Sequence, residues 1–184
     1  MDQDDEQAAL RAAQADPRHF APLYERYHRR IFLFILKRVG ADRDVAADLC
    51  SQTFLKAMLA LPRYTERGVP IKAWLYRIAL NEVLMHQRNR KGKAFMDVDR
   101  DDVAALCTDL DVSVDPTHQA EQDRRLTHAL SRLRPEQATL IDLHWFDRLS
   151  YAEVGQVLGI GEDAAKMRTH RVLRVLRQYI GTRP

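Results

Sequence analysis

The sequence lacks long hydrophobic runs and has few cysteines. Its longest uninterrupted apolar stretch, IFLFIL at residues 31–36, is far shorter than the roughly 20 residues that a membrane-spanning helix needs. The acidic start MDQDDE is unlike a signal peptide, so we expect a cytoplasmic protein without membrane insertion. Cys50 and Cys107 are far apart, with no second cysteine or histidine at metal-ligand spacing. Neither a disulfide nor a zinc site is therefore expected.

Motifs for catalysis and cofactor binding are also missing. The chain has no glycine-rich phosphate loop, no G-x-S-x-G turn and no H-E-x-x-H motif. Its seven histidines are scattered, and isolated histidines serve more often in packing or on the surface. The sequence therefore predicts no enzyme, no catalytic residues, no metal site and no cofactor.

The sequence does contain signals for the starts and ends of helices. Asp16 and Asp115 each precede a proline, a pattern typical of helix starts, while Gly40 and Gly181 stand where helices should end. Alternation with a period of two is absent over strand length. We therefore predict an all-α fold with helices at about 7–15, 17–39, 42–60, 70–91, 117–132, 135–146, 150–158 and 162–180.

The helical pattern lapses between the fourth and fifth predicted helices. Residues 95–116 contain seven aspartates against the single base Arg100. This composition indicates an acidic linker, and its simplest interpretation is a solvated spacer that its own repulsion keeps extended. We therefore predict two small helical domains, at residues 1–94 and 117–184.

The segment SYAEVGQVLGIGEDAAKMRTHR, residues 150–171, predicts a helix-turn-helix. Ser150 and Glu153 form a capping box, Gly155 permits close approach of a second helix, and Gly159 suits a left-handed end. A basic outward face on the second helix fits the major groove of DNA, where cations replace condensed counterions. The alternative, that these side chains only solubilise the helix, is weakened by the adjoining turn. The cations are Lys166, Arg168, His170, Arg171, Arg174 and Arg177.

The N-terminal domain carries a second nucleic-acid signal. The loop LPRYTERGVP contains Tyr64 and precedes a helix that ends in the basic residues Arg88, Arg90, Lys91 and Lys93. An aromatic loop beside a basic helix suits single-stranded nucleic acid, because bases stack on rings and the backbone follows the cations. We expect Trp74 to be a core anchor rather than a base platform.

Four segments, in this order, resemble the small bacterial RNA polymerase sigma factors of the extracytoplasmic-function (ECF) type. They are LYERYHRRIFLFILKRVG, DLCSQTFLKAM, IKAWLYRIALNEVL and LSYAEVGQVLGIGEDAAKMRTHRVL. The resemblance spans almost the whole chain. It implies an alternative sigma factor that binds core RNA polymerase, recognises −35 and −10 promoter elements and melts DNA to direct promoter-specific initiation.

The resemblance also implies partners and roles. The partners are promoter DNA, the clamp helices of the largest polymerase subunit, the flap of the second-largest subunit and an anti-sigma factor, and the acidic linker would follow the polymerase's cationic channel. The implied polymerase contacts are Asp44, Asp48, Gln52 and Phe54. The implied −10 contacts are Tyr64, Arg67, Arg77, Asn81, Arg88 and Arg90. The implied −35 contacts are Glu162, Asp163, Lys166, Arg168, Arg171 and Arg174.

Two other functions stay open at this point. One is a helix-turn-helix regulator that binds duplex DNA without polymerase, with its first domain as a dimerisation or sensor module. That function leaves the loop and the segment around Asn81 unexplained. The other is a recombinase with a DNA-binding tail, although the chain lacks a strand-rich catalytic domain and a clustered nucleophile.

Overall fold

A computed structural model describes residues 3–65, 69–89 and 119–181. Every regular element in these ranges is helical, which confirms the all-α prediction. The chain divides into two compact units, Met1–Lys93 and Ala94–Pro184. The predicted acidic linker, Cys107, Arg67 and Arg90 lie outside the described residues.

The described residues of the first unit form four α-helices. They are α1 (Gln3–Ala15), α2 (Ala21–Leu36), α3 (Arg43–Ala60) and α4 (Ile71–Asn89), with 3-10 turns at Pro17–Phe20 and Leu61–Arg63. The helix predicted at 17–39 is shorter than expected. Asp16 caps a 3-10 turn, its side chain accepting a hydrogen bond from the Arg18 amide at 3.0 Å. At the other end α2 stops at Leu36, and the chain turns through Gly40 and Ala41, which both have positive φ.

Helices α2, α3 and α4 pack against one another to form the core of the first unit. Leu23, Tyr27 and Ile31 recur at helical spacing on α2 and are all nearly inaccessible to solvent. The ring of Phe34 on α2 meets the ring of Tyr76 on α4 edge-on, with centroids 5.0 Å apart. Helix α1 joins this core through Glu6, which accepts a hydrogen bond from the Tyr27 hydroxyl at 2.5 Å.

The described residues of the second unit form four further α-helices. They are α5 (Gln119–Ser131), α6 (Pro135–Ile141), α7 (Tyr151–Leu158) and α8 (Glu162–Gly181), and a π-helical turn, Asp142–Phe146, extends α6. Pro135 occupies the first turn of α6, as its sequence position predicts. Helix α8 contacts α5, α6 and α7, so one side of α8 supplies the centre of this unit and the other side faces solvent.

Candidate nucleic-acid and polymerase interfaces

The turn between α7 and α8 has the geometry that the sequence predicts. The Glu153 amide donates to Ser150 Oγ at 3.2 Å, and the Ser150 amide donates to Glu153 Oε2 at 2.7 Å. Gly159 ends α7 in the left-handed conformation, with φ of 68°. These contacts satisfy the exposed amides at the start of α7 and fix the direction in which α8 leaves the turn.

Gly155 is the point of closest approach inside this motif. A Cβ atom at this position would lie 2.7 Å from the carbonyl oxygen of Ile160 and 3.3 Å from the carbonyl carbon of Gly161. The sequence prediction of close approach is therefore right, but the partner is the backbone of the turn rather than the body of α8. A side chain here would push the turn away from α7.

Helix α8 has one buried and one exposed side. Ala165, Thr169, Val172 and Leu176 are at most 2% exposed, and the Thr169 hydroxyl donates to the Ala165 carbonyl at 2.8 Å. All six predicted −35 residues on this helix are exposed. Within the described residues, Arg171 and Arg174 form no ion pair. Their charges are therefore available to an anionic partner.

A shallow pocket of about 400 Å³ lies beside this exposed side. Tyr151 lines this pocket; its ring stacks on that of His144 with centroids 4.2 Å apart and lies 6.1 Å from the ring of His170. The lining combines aromatic and cationic side chains, and arginine is a residue that commonly binds phosphate. Its lining residues are Trp145, Tyr151, His170, Leu173, Arg174 and Arg177.

Helix α4 presents a mixed polar and apolar stripe to solvent. Arg77, Asn81 and Arg88 are exposed, as the prediction of −10 contacts requires. Leu84 and Met85, at steps of three and four from Asn81, are 41% and 53% exposed. Sequence reasoning missed these two residues, although their spacing places them on the same helical face. The stripe therefore offers cations at both ends with an amide and apolar side chains between them.

Tyr64 is buried, whereas a ring on which bases stack would be exposed. Its side chain is buried, its hydroxyl donates to the Val69 carbonyl, and its ring centroid lies 4.9 Å from that of Trp74. Its carbonyl accepts a hydrogen bond from Gln14 Nε2 at 2.7 Å. Tyr64 thus holds together the two ends of the loop between α3 and α4. Trp74 is half-buried against it, which is less than a core anchor requires and more than a base-stacking surface would show.

Helix α3 carries an exposed line of residues at steps of three and four. Asp44, Asp48 and Gln52 all face solvent, and the line continues through Leu55 and Leu59, which are 52% and 70% exposed. We call these five residues the α3 surface. The spacing of these residues predicts that they share one face of the helix, but it does not predict that the two leucines are exposed.

Phe54 lies inside the first unit, whereas the resemblance implies a polymerase contact. It is 4% exposed, and its ring centroid lies 4.9 Å from that of Tyr24 and 6.3 Å from that of Phe20. Its ring packs α3 onto α2 and is not available for direct contact in this structure. The large apolar side chains that the same helix does expose are Leu55 and Leu59.

Cys50 is buried on the inner side of α3. Burial raises the pKa of its thiol to about 11, because the thiolate would lose its solvation. In the described residues no group of three or more histidines, cysteines or acids is arranged to hold a metal ion. Within the same ranges, no helix combines the length and apolar character of a membrane span.

Comparison with known proteins relates both units of the chain to sigma-70 regions. Residues 23–93 match the family model Sigma-70 region 2, and residues 129–178 match Sigma-70, region 4. The chain is 32% identical to the RNA polymerase sigma factor CarQ of Myxococcus xanthus over 165 residues, covering 88% of this chain and 89% of CarQ. It is 30% identical to the ECF RNA polymerase sigma factor BldN of Streptomyces coelicolor over 169 residues, covering 92% of this chain but 62% of BldN.

A solved structure shows the same fold. CnrH, in complex with the cytosolic domain of CnrY, matches with a TM-score of 0.63 and 23% sequence identity over 95% of both chains.

The all-α fold and the matches to Sigma-70 regions 2 and 4 define a DNA-binding transcription protein. The chain belongs to the ECF-type RNA polymerase sigma factors, and its function is promoter-specific transcription initiation with RNA polymerase. This membership decides against the polymerase-independent regulator and the recombinase that the sequence left open.

Proposed function

We propose that α3 attaches the protein to core polymerase, α4 opens the −10 element and α8 reads the −35 element. The observation that carries this division is the exposed stripe of α4, which pairs cations with an amide and apolar side chains. The protein acts in the cytoplasm and drives melting by binding energy, without catalysing a bond change.

The α4 stripe has the chemistry that unpaired DNA requires. Arg77 and Arg88 lie at its two ends, where their charges can follow the phosphates of one strand. Asn81 lies between them, and its amide both donates and accepts, so it can bond to the edge of an unpaired base. Leu84 and Met85 offer apolar surface to bases that have lost their stacking partners. Because Asn81, Leu84 and Met85 can contact unpaired bases only after the strands separate, these contacts favour strand separation.

The loop before α4 is the proposed second wall of this base site. Tyr64 and Gln14 hold its two ends in place through the hydrogen bonds described above. We therefore assign Tyr64 as a positioning residue rather than a stacking platform. Arg67, inside the loop, stays a proposed contact on the strength of the family resemblance.

Helix α8 supplies the proposed duplex contact. Lys166, Arg168 and Arg171 lie along its exposed side in the first half of the helix, where a recognition helix meets base edges. His170 and Arg174 line the shallow pocket, and we infer that its cationic side chains receive a backbone phosphate beside the groove. The exposed acids Glu162 and Asp163 can accept from cytosine amino groups.

The α3 surface is the proposed attachment to the polymerase clamp helices. Leu55 and Leu59 leave apolar area in water, and burial of that area would favour association. The flap of the second-largest subunit is the proposed partner of the second unit. The acidic segment 95–116 is proposed to follow the polymerase channel. An anti-sigma factor is proposed to compete with the polymerase for its contacts on both units. These partners rest on the family resemblance.

Templates that are already open separate the two DNA roles. Transcription from a duplex promoter is compared with transcription from the same promoter carrying a mismatched −10 bubble. Because Asn81 is assigned to strand opening, Asn81→Ala should lose at least about tenfold on the duplex and regain most activity on the bubble. Arg171→Ala should lose activity on both templates, since upstream recognition precedes opening.

Arg30→Ala, an exposed residue on α2, is the matched control and should behave like the unmodified protein. Equal losses for Asn81→Ala on duplex and bubble templates would contradict the role of α4 in melting. Recovery of Arg171→Ala on the bubble would contradict the role of α8.

A further inference from the structure

Met167 stands out among the side chains of the second unit. It is 64% exposed, and among the described residues of this unit it is the one large hydrophobic side chain that faces solvent so openly. It lies in the second turn of α8, two residues from both Ala165 and Thr169, which are fully buried. At 100° per residue this places Met167 on the side of α8 opposite the core.

The neighbours of Met167 on this side are polar or charged. Asp163 and Arg171 lie one turn before and after it, and Lys166 and His170 flank it, all of them exposed. An isolated apolar side chain within a cationic surface does not resemble a protein-binding patch, which would be larger and continuous. The positive charges of Lys166 and Arg171 instead match a polyanion, and an apolar group on that polyanion is a fitting partner for Met167.

Duplex DNA offers one such group in the major groove. The C5 methyl of thymine is the apolar feature of the groove edge, and it distinguishes thymine from the other three bases. The thioether of methionine is unbranched and polarisable, so it can adapt to a methyl group whose position depends on local DNA geometry. Leucine, isoleucine or valine would fill the same role with less freedom.

We propose that Met167 is a specificity-determining residue that contacts a thymine methyl group in the upstream promoter element. This rests on the proposed function of α8 as the helix in the major groove. It adds an apolar contact to the charged ones, and it predicts a preference for thymine at one base pair of the element.

The test replaces thymine by uracil, which removes the methyl group and leaves every hydrogen-bonding atom in place. Polymerase carrying the full chain first selects its preferred upstream element from promoter fragments randomised there. Each thymine of that element is then changed singly to uracil, and binding is measured. One substitution should weaken binding by about fourfold, the loss expected for one buried methyl group.

Variants of Met167 assign that loss to this side chain. Met167→Ala should bind the thymine and uracil promoters equally, whereas Met167→Leu should keep most of the discrimination. Leu33→Ala, an exposed apolar residue on α2, should discriminate as the unmodified protein does. Urea unfolding of each variant verifies that folding is unchanged, as expected for an exposed residue.

The outcomes separate this inference from the function on which it rests. Failure to select any upstream sequence would overturn the role of α8 itself. Selection of an element that tolerates uracil at every thymine, or equal discrimination by Met167→Ala, would overturn only the contact with Met167. A loss of polymerase binding by Met167→Ala, without a change in discrimination, would instead assign the side chain to a protein contact.

Discussion

The ammonium group of Lys56 on α3 lies 2.6 Å and 2.7 Å from the two carboxylate oxygens of Glu82 on α4. The Glu82 side chain is 6% exposed and that of Lys56 is 50% exposed. The pair therefore joins the helix of the α3 surface to the helix that carries Asn81, the residue next to Glu82.

Removing one partner of this pair should cost more than removing both. Lys56→Met leaves a buried carboxylate without its cation, and we expect it to lower the free energy of unfolding by about 1–3 kcal/mol. The exposure of Lys56 favours the lower end of that range. The double variant Lys56→Met/Glu82→Met removes the buried charge as well and should recover part of the loss in urea unfolding. Equal losses in the single and double variants would contradict this account.

Gly155 and Gly161 form a matched pair for the turn. Gly155→Ala places a Cβ against the Ile160 carbonyl and should destabilise the second unit by about 1–3 kcal/mol, because backbone must move. At Gly161 a Cβ would meet nothing within 4 Å, so Gly161→Ala should change stability by less than about 0.5 kcal/mol. Thermal unfolding of the two variants provides the comparison, and a reversed order would show that the turn is looser than described.

Cys50 gives a pH-dependent test of burial. Because its pKa is raised to about 11, the native state keeps a proton that the unfolded state loses above about pH 9. The stability that the protonated thiol contributes is fully present below about pH 9 and is lost as the pH rises toward 11. In a Cys107→Ser background, the stability difference between the protein and its Cys50→Ala variant should shrink by about 1–2 kcal/mol from pH 8 to pH 10.5. A constant difference would place the thiol in water.

The cationic side chains of α8 should divide into those that bind a base and those that bind only a phosphate. Arg171→Ala and Arg174→Ala are each expected to weaken binding to the upstream element, by about 1–3 kcal/mol for a side chain that bonds a base bidentately. A side chain that contacts only phosphate should instead lower the slope of log affinity against log salt by roughly one. Salt titrations of both variants distinguish the two cases. Affinity and slope unchanged in both would reject this side of α8 as the DNA surface.

The apolar part of the α3 surface should govern attachment to polymerase. Leu59→Asp puts a charge where an apolar contact is proposed, and we expect at least about a tenfold loss of core affinity, since a buried unpaired charge is costly. Leu33→Asp changes an exposed leucine on α2 and should leave core affinity unaltered. Pull-down of core enzyme with each variant, at matched folding stability, measures the difference. Similar behaviour of the two variants would move the attachment site away from α3.

The positions of the helices follow from local signals in the sequence. Ser150, Glu153 and Gly159 act through hydrogen bonds and φ preferences inside one short segment, so the ends of α7 are predictable from it. The end of α2 is less so, because Gly40 marks the turn while Leu36 is the last helical residue. The spacing of residues also predicts the exposed side of α8, since small and apolar residues recur at steps of three and four on the opposite, buried side.

Tertiary placement explains what the sequence did not reveal. Phe54 and Leu55 are adjacent and both apolar, and only the packing of α3 on α2 determines that Phe54 is inside and Leu55 outside. Tyr64 is a residue type on which bases stack, but in this fold it is held by hydrogen bonds with Gln14, which is distant in sequence, and with Val69. Leu84, Met85 and Met167 resemble core residues by type, and their exposure depends on which side of each helix its neighbours cover.

Transcription with purified components measures whether this protein directs initiation. Core RNA polymerase free of any sigma factor is combined with the purified protein and a library of genomic fragments, and the 5′ ends of the transcripts are mapped. We expect discrete start sites, absent with core enzyme alone, that share one sequence element upstream and a second near the site of opening. Transcripts that start at the same positions with and without the protein would contradict this expectation.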